Sequence, residues 1–134
     1  MATILAHITI RAGHEAAFEA LAREMYASTH EREDAVLHYQ YWRGAEPRSY
    51  YTLLAFDDHR AFIAHQASDH HEDATERLRA AIETIRLEWV DPIDGASPLP
   101  PTNDQSAAVA ASDLERTYHE TYPAMVAHWW SALR

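Results

Sequence analysis

The chain has 134 residues, room for one domain of about 100–150 residues but not for two full cores. It is 47% hydrophobic and 24% charged, which excludes global disorder, and it has no cysteine, which excludes disulfides, thiolate nucleophiles and zinc ribbons. Its 11 basic residues, all arginine, face 21 acidic ones for a net charge of −10, so the basic stripe of a nucleic-acid binder is missing.

No apolar run reaches the ~20 residues of a membrane span, and Met1-Ala2-Thr3-Ile4 does not open a secretion signal. A cytoplasmic protein is expected. Thr3 to Arg11 alternates, with Ile4, Ala6, Ile8 and Ile10 on one face and Leu5, His7 and Thr9 on the other. That pattern predicts a strand. Ala12-Gly13 ends it, and Phe18, Leu21, Ala22 and Met25 recur at helical spacing, predicting a helix from His14 to about Ser28.

A second strand is expected over Val36–Arg43, a turn at Gly44–Arg48 and a third strand over Ser49–Phe56. Asp57 is the expected N-cap of a helix carrying Ala61, Phe62 and His65. Ser68-Asp69 predicts a second cap, restarting a helix through Leu78, Ala81 and Ile82. A fourth strand should run from Thr84 to Val90. The order predicts an α+β, ferredoxin-like βαββαβ domain over residues 1–93. A Pro-rich linker over 94–106 then leads to a helical extension over 107–134.

Helices on one side of four strands leave the face with Leu5 and His7 uncovered. A back-to-back homodimer would bury it. In the extension, Leu114, Tyr118, Tyr122, Met125, Trp129 and Leu133 form a stripe at three- and four-residue spacing, with Pro123 forcing a break and a second helix start. The stripe is expected to be buried, docked across the dimer or on its own protomer.

Ala12-Gly13-His14-Glu15-Ala16-Ala17-Phe18 after a short apolar strand, and Ala61-Phe62-Ile63-Ala64-His65-Gln66-Ala67-Ser68-Asp69-His70-His71 after the third strand, resemble the antibiotic biosynthesis monooxygenase family. The resemblance covers residues 3–93. It implies a dimeric α+β barrel with a pocket between sheet and helices in each protomer. It also implies oxygenation without flavin or metal, in which a deprotonated phenol or quinol itself reduces dioxygen. Two stretches depart from the family's pattern: Glu33-Asp34-Ala35 replaces an acidic-Pro-Gly turn, and Leu54-Ala55-Phe56 replaces a Glu-x-Trp. The haem-degrading branch is disfavoured, because His65 and Thr75 stand where it has an aromatic and a histidine.

On this reading the chain is a cofactor-independent monooxygenase acting on a small aromatic, quinol or polyketide-type molecule. Its partners are that substrate, dioxygen and a second copy of itself. His65, inward beside Phe62, and His70 are the expected proton-handling groups, since imidazole titrates near neutral pH; His71 is expected at the surface. Ala6, Tyr39, Thr52, Phe56 and Phe62 are the expected pocket wall, Ala6 leaving volume on an otherwise bulky face. No metal site is expected. The four His-Glu pairs are followed, at the position where a helical zinc motif needs a second histidine, by Phe18, Asp34, Thr75 and Pro123. The alternatives are a non-catalytic barrel that captures an apolar metabolite, and an isomerase or degrader of a signalling sugar.

Overall fold

A computed structural model describes residues 1–134. The chain forms β1 (Ala2–Ile10), α1 (Glu15–Arg32), β2 (Val36–Arg43), β3 (Ser49–Phe56), α2 (His59–Gln66), α3 (Asp69–Ala81), β4 (Ile82–Trp89) and α4 (Asp113–Thr121). The four strands make one antiparallel sheet of order β2-β3-β1-β4, the ferredoxin-like arrangement. β1 lies between β3 and β4, with Ala6 opposite Thr52 on one side and Leu87 on the other. Its alternation therefore puts Ile4, Ala6, Ile8 and Ile10 under the helices, where all four are buried. Phe18, Leu21 and Met25 of α1 close over them together with Tyr50, Leu54 and Phe56 of β3.

α1 runs four residues past the expected end at Ser28. Thr29 stands one turn after Met25 and is fully buried, continuing the inward stripe; burial on that face outweighs the modest helix penalty of a β-branched residue. The cap of α2 is Asp58, whose Oδ1 accepts the Ala61 N–H at 2.7 Å, and not Asp57. The Asp57 N–H is still bonded to Ala35 O, so that residue belongs to the end of the sheet. Ser68 caps α3 as expected, accepting the His71 N–H. β4 begins at Ile82, directly after α3, two residues before the expected start.

The Pro-rich stretch is pinned along the start of β1. The buried Thr102 hydroxyl donates to Val90 O at 2.7 Å and accepts the Thr3 N–H at 3.3 Å, and Asn103 N–H reaches Met1 O at 2.8 Å. Arg134 forks onto Asp91 and bonds Thr102 O, tying the last residue to the same place.

The expected helix over 107–134 is reduced to α4, flanked by two short 3-10 turns. It ends at Thr121, with Tyr122 as its C-cap before Pro123, and no second helix starts there. α4 packs on α2 of its own chain. Only Tyr118 and Tyr122 of the stripe pack against the core. Met125, Trp129 and Leu133 are 68%, 65% and 76% exposed, so the expected burial of the whole stripe is not seen in the chain. The break at Pro123 is as expected, but no second helix follows it, so the later residues are not held on the side that Tyr118 and Tyr122 occupy.

The sheet face turned away from the helices carries Leu5, His7, Tyr51, Leu53 and Trp42, the last 57% exposed. His7 bonds Glu88 at 2.9 Å across this face and meets Tyr51 edge-on.

Candidate active site

A cavity of about 830 Å³ lies between the helix-facing side of the sheet and the helices α2, α3 and α4. Ala6 forms part of its floor because β1 puts a small inward residue there, flanked by Thr52 on β3 and Tyr39 and Tyr41 on β2. Phe62 and His65 enter from α2, His71 and Thr75 from α3, and Tyr118 and Tyr122 cover it from α4. Exposed Arg11, Arg79 and Glu83 stand at its rim.

His65 is the best-organised polar group of this wall. It is 1% exposed, and its Nδ1 is 2.7 Å from Glu33 Oε1. A carboxylate only accepts, so in the neutral imidazole the proton sits on Nδ1 and the lone pair on Nε2. That Nε2 is buried and has no partner. Glu33 follows the last residue of α1, and its N–H still closes onto Thr29 O, which aims the carboxylate back under α2. The same Oε1 is 2.8 Å from His70 Nε2, with the Thr29 and Ser68 hydroxyls 3.4 Å from that nitrogen. One carboxylate thus orients two imidazoles, leaving only one of them on the cavity wall. These separations are hydrogen-bond lengths, shorter than the ~3.3 Å between ligands around a tetrahedral zinc with ~2.0–2.1 Å bonds.

Two further residues of the wall carry buried polar atoms without partners, Thr52 Oγ1 and His71 Nδ1. His71 is not at the surface as expected; its ring lies 5.0 Å from that of His65. Burial, reinforced by the neighbouring His65 and His70, pushes its pKa down to about 3. Tyr39 and Tyr41 share a hydroxyl–hydroxyl bond of 2.9 Å. Burial first, and then Tyr41, raises the Tyr39 pKa well above the phenol range, and burial brings Tyr41 to about 12. Both remain protonated at neutral pH and are not bases; one hydroxyl donates to the other.

Of the expected site residues, Ala6, Tyr39, Thr52, Phe62 and His65 lie on the cavity wall. Phe56 is fully buried behind it, its ring 5.3 Å from that of His65, and His70 stands off the wall on the far side of Glu33. The sequence reading did not single out Glu33 as a site residue. A second hollow of about 760 Å³ lies outside β2, where Arg43 forks onto Glu19 and Tyr50 bonds the same carboxylate. That carboxylate is held at a pKa of about 2 by Arg43, and the groove carries no free base.

The depressed His71 pKa has a consequence for stability. The unfolded imidazole titrates near ~6.5, so below that pH the unfolded chain binds a proton that the folded one refuses. Stability is therefore full above about pH 6.5 and falls as pH drops toward 3. Urea unfolding of His71→Gln should show a shallower loss over this window than the parent. Parallel curves would contradict the assignment.

The model of the antibiotic biosynthesis monooxygenase family matches residues 1–77, and the chain belongs to that family. Among solved structures, the fold is similar to PA3566 from Pseudomonas aeruginosa, with 22% identity, a TM-score of 0.61, and 66% of this chain and 90% of that one covered. Rv0793 from Mycobacterium tuberculosis aligns at 20% identity and a TM-score of 0.64, over 72% of this chain and 98% of that one. A structure named antibiotic biosynthesis monooxygenase aligns at 19% identity and a TM-score of 0.63, covering 69% and 99%. No curated protein matches. Family membership supports an oxidoreductase-type function, and no helix is long and apolar enough to cross a membrane.

Proposed function

We propose that the protein is a cofactor-independent monooxygenase acting on a small phenolic or quinol-type aromatic. The observation that carries this reading is the Glu33–His65 pair, in which a buried imidazole with an unpartnered Nε2 belongs to the wall of a cavity rich in aromatic side chains. Nε2 takes the proton of a bound phenol, and Glu33 stabilises the imidazolium that forms. The unpartnered Thr52 hydroxyl supplies a donor for the resulting phenolate. The electrons that reduce dioxygen come from the substrate anion, while Tyr118 and Tyr122 keep water from the cavity. Aromatic and aliphatic walls suit such a substrate better than a sugar.

Oxygen uptake with a panel of hydroxynaphthoquinols tests the reading. Uptake above uncatalysed autoxidation, saturating with substrate, is the expected result. Tight binding of the same compounds without oxygen uptake would favour the non-catalytic barrel.

A second copy covering the Leu5–Leu53–Trp42 face belongs to the same proposal, since Leu5 and Leu53 are only half-buried and Trp42 is exposed. Light scattering should give a particle of twice the 15.3 kDa chain mass. A monomer at all concentrations would remove the barrel.

A further inference from the structure

A second group of chemistry-bearing side chains lies where the extension meets the domain, and the proposed reaction does not use it. His59 opens α2, Asp104 lies in the Pro-rich stretch, and His119 sits on α4. One ligand atom from each lies within 4.8 Å of the others. His59 is fully buried, and its Nε2 is 2.9 Å from Tyr122 O. A carbonyl can only accept, so Nε2 carries the proton and Nδ1 carries the lone pair. Nδ1 is buried without a hydrogen-bond partner and faces Asp104 Oδ1 at 3.7 Å. His119 is oriented in the same way, with Nε2 2.7 Å from Gln105 O, which leaves its Nδ1 lone pair free. The two rings are 4.7 Å apart.

These are the features of a metal site. Each imidazole is fixed by a backbone carbonyl on one nitrogen while the other is unprotonated, the arrangement that sets tautomer and direction in metal-ligating histidines. Two lone pairs beside one carboxylate have no mutual hydrogen bond to make. The His59 Nδ1–Asp104 Oδ1 separation of 3.7 Å is wider than the Glu33–His65 contact and near the ~3.3 Å between zinc ligands, while the ligand atom of His119 lies within 4.8 Å of both. Asp104 has a side chain 62% exposed, so it can close the remaining gap by a rotamer change.

We propose that His59, Asp104 and His119 bind one divalent transition metal ion of the zinc class, and that the ion clamps α4 onto the domain. Two imidazoles and a carboxylate suit zinc or cobalt, and a fourth position remains for water. The three ligands come from α2, the Pro-rich stretch and α4, so a bound ion cross-links three segments. Tyr118 and Tyr122 flank His119 and line the cavity, so the clamp also holds the cover of the candidate active site.

Titration of the full chain, stripped with chelator, with cobalt and then zinc tests this. The expected result is one equivalent bound, cobalt giving the visible absorption of a four-coordinate site, and slower hydrogen exchange of α4 amides in the zinc form. Asp104→Asn and His119→Ala should each weaken binding by about tenfold or more and abolish the exchange effect. Both sites are outside the core, so these variants should fold even if His59→Ala does not. His65→Gln should bind as the parent does. The proposal is overturned if no equivalent binds, if the Asp104→Asn/His119→Ala double variant binds as tightly as the parent, or if His65→Gln loses the ion.

Discussion

Replacing His65 with Gln should lower turnover by about 10²–10⁴-fold, the usual contribution of a positioned general base. Gln keeps a donor for Glu33 and roughly fills the space, so the thermal midpoint should move little compared with the loss of activity. Glu33→Gln is expected to act through His65, as a positioning change. The carboxamide can still bond the ring but no longer stabilises the imidazolium, so kcat should fall with KM little changed and the acidic limb of the pH profile should move. If His65→Gln unfolds, or if activity per folded molecule is unchanged, His65 is a core histidine and nothing more.

Phe62→Ala should cost about 3–5 kcal/mol of stability, as large-to-small changes at fully packed aromatic sites do. Phe62 is 1% exposed, and its ring meets those of Phe56 at 5.7 Å, Trp89 at 5.5 Å and Tyr122 at 6.1 Å. It therefore joins β3, β4 and the residue after α4 through α2. Against a typical total of about 5–15 kcal/mol, this loss leaves a marginal fold. Because Tyr122 rests on the same ring, α4 should loosen as well. Denaturant unfolding measures the cost, and a change below about 1 kcal/mol would show that the cavity side of Phe62 is already poorly packed.

The strands were legible because β1 alternates without exception from Ile4 to Ile10 and because the turn at Gly44–Arg48 is written in its residues. Element ends were less legible. Thr29 is a poor helix former that tertiary burial keeps in α1, and two adjacent aspartates offer equal caps until the bond from Asp57 N–H to Ala35 O excludes the first. His65 could be placed by its spacing from Phe62 on one helix. His71 could not, since Ser68 starts a new axis and the face of α2 does not carry into α3. Glu33 stands 32 positions before His65, and no local spacing rule relates them. The same holds for His59, Asp104 and His119, which only the docking of α4 brings together. Pro123 announced the break, but the absence of a second helix beyond it was not legible, because the apolar spacing of Met125, Trp129 and Leu133 reads as helical.

The central claim is that the cavity binds a phenol and takes its proton onto His65 Nε2. Its most direct measurement is the ionisation state of a bound phenol whose anion absorbs in the visible and which does not react with dioxygen. With the parent protein, the apparent phenol pKa should fall on binding, so that anion absorption grows as protein is added at a pH where the free compound is neutral. With His65→Gln, the compound should bind as the neutral phenol. A phenol bound in the neutral form by the parent, or anion absorption of equal size in His65→Gln, would contradict the account.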